Sequence, residues 1–584
     1  MRTGTIAATF ISALKQFVNE EYNAQEREVY ALWRLPAPNR VAEGEAIADV
    51  QVVEVRGNLA RLHFRENLSK FRVGDVLLLN RGNPFEGGFA CTLESEREDE
   101  LVVRADFNTS FSRLAPGPGW VLDRYFVDVR HILLSSLEIL ESDEDSDILR
   151  ILTGQVAPHI DAARENAGLR IAKSISPRLD DSQCEAFARA YATENYYLIQ
   201  GPPGTGKTRV LAHLAKTLAA QGERVLITAF THRAINNALR KVVQVGWSNV
   251  IKVGQSYYAD DLCRDGVQVQ NFERLEWSPY ARAEGGYVVG ATCFAARTTR
   301  LNDAQFDTVI FDEAGQVTIP VAVAGMLSGQ RYIFIGDHKQ MAPVIVGNHP
   351  VKWVTRSVFE TLFRYAPGTM LDITYRMNAE INAFPSQRFY GGRLRPADHA
   401  RGRRLKFARS PERYGILLDP ERPSVFAEIR HNNRGMRAPE EALLAAALAA
   451  EALRCGVPAS EIAIVTPYRA QGRLIRKCLR EMVPNADESL NDIVVDTVER
   501  IQGQERDIVI VSLTTSDPNH AAQRAEFYFQ PNRLNVAITR PRVKRIVMGS
   551  PLLFRAVPAD PEHRLWVEHF RALYAQSYVV PVKP

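Results

Sequence analysis

The stretch Gly201-Pro-Pro-Gly-Thr-Gly-Lys207-Thr208 limits the possible folds of this chain more than any other feature of its sequence. It follows the apolar run Tyr196–Ile199 and opens a segment with helical spacing, so it fits G-x-x-x-x-G-K-[ST] in a strand–loop–helix context. Glycines let backbone N–H groups approach a phosphate, and the N-terminus of the next helix adds a favourable positive potential. The pattern therefore predicts a phosphate-binding loop.

The predicted loop assigns a task to its residues. Lys207 is expected to reach the β- and γ-phosphates of a nucleoside triphosphate, and the Thr208 hydroxyl is expected to bind Mg²⁺. The residues expected to line the nucleotide here are Gly201, Pro202, Pro203, Gly204, Thr205, Gly206, Lys207 and Thr208.

Strand-length apolar runs alternate with helix-length amphipathic segments on both sides of Pro367. The runs are Tyr196–Ile199, Val225–Ala229, Val288–Ala291, Thr308–Phe311 and Tyr332–Ile335 before it, and Ile416–Leu418, Val425–Ile429, Ile462–Val465, Ile493–Val495, Ile508–Ser512 and Ile546–Met548 after it. Such alternation produces parallel sheets with helices on both faces. Two series predict two doubly wound α/β domains.

The N-terminal third has a different pattern. Residues 7–34 show helical spacing that Pro36 stops, and helical spacing returns from Val129 to about Lys173. Between them, from Ala46 to about Val127, short alternating runs are broken by Gly and Asn. Several strands in such a short segment predict a small β-barrel between helices.

Composition narrows the functional class. The 584 residues carry a formal net charge of only +4, which is too balanced for a basic coat, so any nucleic-acid site must be a local channel. The six cysteines show no zinc or iron–sulfur spacing and are expected to be reduced core thiols. Neither a targeting segment nor a membrane-length apolar run is visible, so a soluble cytoplasmic or nuclear protein without membrane partners is expected.

A pair of carboxylates follows the largely apolar run Phe306–Phe311. Asp312 and Glu313 stand at the predicted C-terminal end of a strand, where the phosphate loop of the same sheet also lies. Alone, such a pair is usually a solvated strand end. Together with the loop, Asp312 is expected to hold Mg²⁺ through water and Glu313 to polarise the attacking water.

Further motifs occur in a fixed order along the chain. They are Asp312-Glu-Ala-Gly-Gln316, Gly336-Asp-His-Lys-Gln340, Tyr375-Arg-Met-Asn378, Val498-Glu-Arg-Ile-Gln-Gly-Gln-Glu505 and Leu534-Asn-Val-Ala-Ile-Thr-Arg540. This set resembles the motifs of superfamily 1B helicases, in the branch of the nonsense-mediated-decay helicase and the Okazaki-fragment nuclease–helicase. Thr231-His-Arg-Ala-Ile-Asn-Asn237 is closer to the nuclease–helicase form.

The resemblance implies an α/β fold of two RecA-like doubly wound parallel-sheet domains, with an N-terminal helical stalk and a small β-barrel. It divides the chain into a stalk helix (1–41), the barrel (42–128), further stalk helices (129–175), a first RecA-like motor domain (176–366) and a second one (367–584).

The resemblance also implies an ATPase site. Gln183 is expected to bond the adenine edge, Gln340 to sense the γ-phosphate, and Arg376 and Arg540 to neutralise charge in the transition state. Glu505 is expected at the ribose and Tyr375 against the base. The implied catalytic set is Lys207, Asp312, Glu313, Gln340, Arg376 and Arg540, with Thr208 and Asp312 at Mg²⁺ and ATP as the nucleotide.

A nucleic-acid track is implied in the same way, because hydroxyls and helix starts suit contacts to phosphate and sugar. Its expected residues are Thr231, His232, Thr292, Thr466, Tyr468 and Thr497. The aromatic rings of Phe230 and Tyr468 suit either base stacking or ordinary packing, and the basic stretch Arg393–Arg409 suits either a solvated loop or a phosphate-binding edge.

The expected function is that of an ATP-dependent 5′→3′ helicase or translocase acting on DNA rather than RNA. Its expected partners are single-stranded nucleic acid, a duplex with a single-stranded tail, and a separate nuclease. The chain itself is expected to be a motor alone, because its only acid-x-Lys triple, Asp337-His338-Lys339, belongs to the γ-phosphate motif. An RNA helicase of the same family, a non-unwinding recruiting or scaffold protein, and an ATPase acting on protein are the alternatives.

Overall fold

The computed structural model describes residues 3–67, 69–71, 73–97, 99–106, 109–143, 146–255, 262–264, 266–483, 490 and 492–583. Its residue contacts separate two compact units. The first unit consists of Met1–Pro158, Ala212–Ile333 and Pro343–Tyr365, and the second consists of His159–Leu211, Phe334–Ala342 and Ala366–Pro584. The helix Lys207–Ala220 and the strand Gly329–Gly336 have residues in both units.

The first unit begins with the long helix Thr3–Trp33, which forms the predicted stalk. Its apolar residues at helical spacing are buried against the helix Arg130–Ser142 and the helix Ile319–Met326. Glu21 fixes it further, because its buried carboxylate accepts hydrogen bonds from the N–H groups of Val346 and Gly347, both 2.8 Å. The stalk is therefore packed onto the α/β part of its own unit.

The barrel closes from six antiparallel strands, as predicted. In spatial order these are Ala46–Arg56, Leu59–His63, Glu100–Ala105, Phe89–Glu96, Val76–Asn80 and Gly117–Arg124, and the last pairs with the first. Alternate residues such as Leu62, Leu93 and Leu122 fill its interior. A buried ion pair of 2.6 Å between Arg40 and Asp123 joins the barrel to the preceding short helix.

A parallel sheet completes the first unit. Its strands, in spatial order, are Gln270–Phe272, Val250–Val253, Tyr287–Gly290, Arg224–Thr228 and Phe306–Phe311, followed by Gly329–Gly336. Its remaining helices are Ala37–Ala42, Asp147–Leu152, His232–Gln244, Cys293–Ala296 and Val358–Phe363. Shorter elements are the hairpin Cys263–Arg264 with Val267–Gln268 and the 3₁₀ turns Pro84–Glu86, Phe111–Arg113, Leu275–Trp277, Ala314–Gln316 and Lys352–Thr355.

The second unit contains a six-stranded parallel sheet, in the order Val494–Asp496, Ile462–Val465, Arg506–Ser512, Pro541–Gly549, Ser424–Ile429 and Tyr578–Val582. Helices pack on this sheet through two separate clusters of buried apolar residues. Its helices are Pro439–Arg454, Arg469–Met482, Val498–Ile501, Pro518–Gln523, Ala525–Tyr528, Pro531–Ile538 and Pro561–Gln576, with 3₁₀ turns at Ala459–Glu461 and Pro551–Arg555.

The rest of the second unit surrounds the strand Tyr196–Gln200, which pairs in parallel with Thr369–Met370. The strands Ile373–Thr374 and Arg395–Pro396 form a small pair of their own. The helices of this part are Ala162–Ser174, Asp181–Ala192, Ala379–Phe389, Asp398–Arg401 and Gly415–Leu418. The fold prediction is thus confirmed: an α/β chain with two parallel-sheet RecA-like parts, a helical stalk and a small barrel.

One predicted strand is wrong. The run Ile416–Leu418 belongs to the helix Gly415–Leu418, in which Leu417 and Leu418 are buried and Ile416 is 61% exposed. Three apolar residues cannot distinguish a strand from one helical turn by their periodicity. The apolar runs of the sequence do not predict the edge strand Tyr578–Val582, which contains a proline; such an edge position tolerates a missing N–H donor.

Five cysteines are buried as predicted, but Cys263 is exposed in the short hairpin. In the described part of the chain, no helix is both long enough and apolar enough to cross a membrane.

Candidate functional site

The predicted phosphate loop connects the fully buried strand Tyr196–Gln200 to the helix Lys207–Ala220. Gly204 has φ = +74°, a left-handed conformation that glycine adopts without strain. A Cβ atom on Gly201 would overlap the Lys207 side chain, which therefore lies across that glycine. These features fit a loop whose backbone wraps closely around phosphate oxygens.

Gln183 supports this loop. Its amide Nε2 donates a 2.9 Å hydrogen bond to the carbonyl of Thr205, and the residue is fully buried. It also forms a capping box with Asp180 at the start of the helix Asp181–Ala192. The Asp-x-x-Gln spacing before a helix indicates the capping box, whereas the hydrogen bond to Thr205 has no signal in the sequence. The predicted contact with adenine stays a prediction.

The γ-phosphate motif lies directly beside the loop. The N–H of Gly201 donates to the carbonyl of Gly336 at 2.9 Å. Gln340 Nε2 donates to the Asp337 carboxylate at 2.7 Å and approaches the carbonyl of Gly201 at 3.4 Å. Gln200 Nε2 donates to the other oxygen of Asp337 at 3.2 Å. The predicted sensor and the phosphate loop are thus hydrogen-bonded neighbours.

The segment Thr374–Arg376 packs against the other side of the loop. Thr374 Oγ1 donates to the carbonyl of Pro203 at 2.9 Å, and the N–H of Tyr375 donates to the carbonyl of Gly204 at 2.8 Å. A Cβ atom on Gly204 would lie 2.5 Å from Cβ of Arg376. The backbone of Arg376 is therefore fixed next to the predicted phosphate site.

Two groups hold the guanidinium of Arg376. Its Nε donates to the Glu505 carboxylate at 2.8 Å, and its Nη1 donates to the carbonyl of Thr539 at 3.0 Å. Burial by itself raises the pKa of the Glu505 carboxyl, but the charges and hydrogen bonds of Arg376 and Arg542 outweigh burial and lower that pKa. Glu505 is thus an ionised partner of Arg376, and its predicted contact with ribose stays a prediction.

Tyr375 is anchored by its hydroxyl, which donates to the Asp180 carboxylate at 2.7 Å. Burial and the nearby Asp180 raise the pKa of this phenol, so the hydroxyl stays a donor. Arg403, from the basic stretch, donates to the carbonyls of Tyr375 and Arg376 at 3.1 and 3.4 Å, and Arg404 is paired with Glu380 at 2.6 Å. These two arginines therefore brace the protein, a role that the charge pattern does not reveal.

Arg540 follows the helix Pro531–Ile538 and is buried. Its Nε donates to the carbonyl of Val536 at 2.9 Å, and its Nη2 donates to the Thr539 hydroxyl at 3.2 Å. The C-terminal carbonyls of a helix favour a cation, which explains how a buried arginine is accommodated here.

Asp312 and Glu313 lie in the first unit, at the end of the strand Phe306–Phe311. The N–H of Asp312 donates to the carbonyl of Thr228 at 2.8 Å, and the N–H of Glu313 donates to the Asp312 carboxylate at 3.0 Å. Glu313 has φ = +50°, which is uncommon outside glycine. Backbone strain of this kind concentrates at functional sites.

The described residues contain no group of three or more His, Cys, Asp or Glu side chains able to hold a metal. Mg²⁺ usually keeps several waters and uses only one or two protein ligands together with substrate phosphates. The donors predicted for it, the Thr208 hydroxyl and the Asp312 carboxylate, fit that chemistry. Mg²⁺ held by donors of this kind would neutralise phosphate charge.

The predicted nucleic-acid residues of the first unit begin helices. Thr231 caps the helix His232–Gln244, where its hydroxyl accepts from the N–H of Ala234 at 3.3 Å, and Thr292 caps the helix Cys293–Ala296. They follow Arg224–Thr228 and Tyr287–Gly290, which are paired strands, so both caps lie at one edge of the sheet.

His232 is neutral at physiological pH. Burial, helped by the charges of Lys252 and Arg300, lowers the pKa of its imidazole to about 3. It therefore offers a hydrogen bond rather than a positive charge. Phe230, two residues before it, is 48% exposed, so its ring remains open to stacking.

In the second unit, Thr466 and Thr497 are buried, and the Thr466 hydroxyl lies 3.4 Å from that of Thr514. Tyr468 is only 7% exposed and packs against Phe527 with 5.5 Å between ring centroids. The Tyr468 ring thus takes part in ordinary packing within the second unit. The contacts of these three residues with nucleic acid stay predictions.

Comparison with known proteins adds an independent set of observations. Two family models described as AAA domains match the chain, one over residues 178–357 and the other over residues 354–552. The DNA replication ATP-dependent helicase/nuclease DNA2 of Saccharomyces cerevisiae is 30% identical over 469 residues, which are 73% of this chain and 30% of that protein. The Mus musculus protein of the same name is 29% identical over 417 residues, 66% of this chain and 38% of that protein.

This chain thus spans between 30% and 38% of the length of these two curated relatives. Among solved structures, arterivirus nonstructural protein 10, a helicase, aligns with a TM-score of 0.38 and 13% identity, covering 87% of this chain and 77% of that one.

Proposed function

We propose that this chain, which belongs to the superfamily 1B helicases and is an ATP-dependent enzyme of that class, moves 5′→3′ along single-stranded DNA and separates a duplex ahead of it. The observation that carries the proposal is the packing of Gln340 and Arg376 against the loop Gly201–Thr208. A phosphate loop with a sensor on one side and an arginine on the other has the parts needed to couple ATP hydrolysis to movement.

Each residue has a task in the proposed site. The loop N–H groups and Lys207 bind the phosphates, and the Thr208 hydroxyl and the Asp312 carboxylate are the groups that would hold Mg²⁺. Glu313 orients and polarises the attacking water. Arg376 and Arg540 neutralise the charge that is redistributed on the transferring phosphoryl group. Gln183 and Tyr375 contact the base, and Glu505 contacts the ribose.

DNA is proposed over RNA on two grounds. The segment Thr231–Asn237 is closer to the nuclease–helicase form of its motif, and the curated relatives are named for DNA replication. The direction of movement follows from the superfamily 1B resemblance. The same relatives combine helicase and nuclease in their names, so a nuclease acting on the displaced strand is the protein partner that we propose.

The test combines two measurements. ATP hydrolysis is measured without nucleic acid, with single-stranded DNA and with single-stranded RNA of the same sequence, and Lys207→Ala serves as the inactive control. Unwinding is then measured on duplexes with a 5′ tail, a 3′ tail or no tail. We expect stimulation by DNA above RNA and unwinding from the 5′ tail alone.

Other outcomes identify the alternatives. Greater stimulation by RNA would make the chain an RNA helicase or a remodeller of RNA–protein complexes. Stimulation without unwinding of any duplex would leave a translocase or a recruiting protein. Unwinding from a 3′ tail would refute the proposed polarity.

A further inference from the structure

A buried tyrosine outside every predicted motif connects two parts of the candidate ATPase site. Tyr390 follows the helix Ala379–Phe389, and its hydroxyl donates to Asp337 Oδ2 at 2.7 Å. The same carboxylate oxygen accepts from Gln340 Nε2, also at 2.7 Å. The Tyr390 hydroxyl in turn accepts from Asn535 Nδ2 at 2.8 Å. One hydroxyl thus joins the predicted γ-phosphate sensor to the helix that precedes Arg540.

The helix Pro531–Ile538 also contacts the sensor loop, residues His338–Gln340, directly. Asn535 Nδ2 donates to the carbonyl of Lys339 at 2.8 Å, and Asn532 Nδ2 donates to the carbonyls of His338 and Gln340. Asn532 and Asn535 are three residues apart and therefore share one face of the helix. The sensor loop and this helix are held together by side chains of the helix.

The connection continues to Arg540. Its Nε donates to the carbonyl of Val536 at 2.9 Å, and Val536 is the residue next to Asn535. A displacement of Asn535 therefore moves the carbonyl that fixes the Arg540 guanidinium. The order of contacts is Gln340, Asp337, Tyr390, Asn535, Val536 and Arg540.

We propose that Tyr390 is a positioning residue for ATP hydrolysis, which transmits the position of Gln340 to Arg540 through Asp337 and Asn535. The proposal rests on the proposed function only in that Gln340 and Arg540 serve the same ATP. Burial, reinforced by Asp337, raises the pKa of Tyr390 well above its ordinary value, so its hydroxyl remains a donor over the working pH range.

The Asp337 carboxylate has other hydrogen-bond donors besides the Tyr390 hydroxyl. Its Oδ1 accepts from Gln200 Nε2 at 3.2 Å and from the N–H of Lys339 at 3.1 Å, and its Oδ2 accepts from Gln340 and Tyr390. A carboxylate offers about four acceptor positions, so removal of the hydroxyl still leaves three of them occupied. Such a change removes the link and keeps most of the support for Asp337.

The test is Tyr390→Phe, which removes one oxygen atom and no core volume. ATP affinity is measured at equilibrium, and hydrolysis is measured in a single turnover as the rate per bound ATP, with and without an oligonucleotide. We expect affinity to change by less than about twofold and hydrolysis to slow by about 10- to 100-fold, the range for a lost hydrogen bond to a charged group felt in the transition state. Because the rate is divided by the amount of bound ATP, misfolded molecules that bind no ATP do not lower it.

Tyr574→Phe is the matched control. Its hydroxyl also donates to a carboxylate, that of Glu428, at 2.6 Å, and its ring packs against Phe426 and Phe554, which belong to the same unit and lie outside the ATPase motifs. We expect this control to hydrolyse ATP at the rate of the wild type. A merely structural role of tyrosine hydroxyls that donate to carboxylates would slow both variants alike, and that result would overturn the proposal.

A double-mutant cycle with Asn535→Ala tests the route. Because both changes break the same connection, the one from Asp337 through Tyr390 to Asn535, we expect the double variant to be no slower than the slower single variant. Fully additive losses, or a Tyr390→Phe protein with wild-type hydrolysis, would overturn the proposal. If the oligonucleotide fails to stimulate the wild type, the proposed function on nucleic acid is refuted, and the comparison of basal hydrolysis still decides the role of Tyr390.

Discussion

Gly204→Ala tests how the phosphate loop is packed against Arg376. At φ = +74°, an added methyl group would lie 2.5 Å from Cβ of Arg376 and 2.7 Å from Oγ1 of Thr374. An L-residue in the left-handed region costs about 1–2 kcal/mol. Forcing an extra methyl group into a packed site costs a further 1–3 kcal/mol or so.

The loop can relieve this overlap only by moving, because the neighbouring Cβ and backbone atoms of Arg376 are not the flexible end of a side chain. Such movement separates Arg376 from the predicted phosphate site. We therefore expect ATP affinity to fall by about 5- to 160-fold, which is the packing cost alone expressed as a binding ratio. Hydrolysis per bound ATP should fall as well. Equilibrium titration with a fluorescent ATP analogue and single-turnover hydrolysis measure the two effects.

Gly222→Ala supplies the matched control. Gly222 has φ = +93°, and apart from its own backbone and its two chain neighbours no atom of the described residues lies within 4 Å of the added methyl group. This variant should lose about 1–2 kcal/mol of unfolding free energy from backbone strain and keep its ATP affinity. If Gly204→Ala bound ATP as tightly as Gly222→Ala, the packing of Arg376 against the loop would be irrelevant to nucleotide binding.

Four further variants test individual roles. Lys207→Ala should abolish steady-state phosphate release and leave the melting temperature unchanged, because it removes a phosphate ligand and no core volume; near-normal turnover would contradict the assignment of the loop. Glu313→Gln should bind radiolabelled ATP and release product very slowly, whereas loss of ATP binding would make Glu313 a structural residue. Arg540→Ala should slow single-turnover hydrolysis with saturating oligonucleotide by about 10³–10⁵-fold and weaken ATP binding far less, and a variant that kept more than about a tenth of the wild-type rate would refute its transition-state role. For His232, the folded pKa of about 3 lies below the ordinary value of 6.5, so the unfolded chain takes up the proton first. The free energy of unfolding should therefore fall as the pH drops through this window, and His232→Gln should flatten that part of a urea-denaturation profile; an unchanged slope would rule out the burial effect.

The sequence predicts best those parts of the fold that depend on residues close to one another in the chain. The barrel strands and the stalk helix follow from periodicities of two and 3.6 residues, and the phosphate loop follows from glycines at fixed spacing. The strand prediction for the run Ile416–Leu418 is wrong because three residues are too few to show a periodicity that separates a strand from a helical turn. The sequence leaves the role of the Tyr468 ring open because an aromatic ring suits a core as well as a base, and only the structure shows its packing against Phe527.

The chemistry of a reaction restricts the residue types that can contact ATP, so sequence motifs predict residues such as Lys207 and Arg376 for this role. It does not restrict the residues that brace them, since any donor of suitable length at the right place serves. Glu505 holds Arg376 from 129 positions further along the chain, and Asn535 meets Tyr390 across 145 positions. No local pattern encodes such a pairing. For this site, the sequence therefore predicts the groups that act on the nucleotide, whereas the contacts that hold those groups in place follow only from the folded chain.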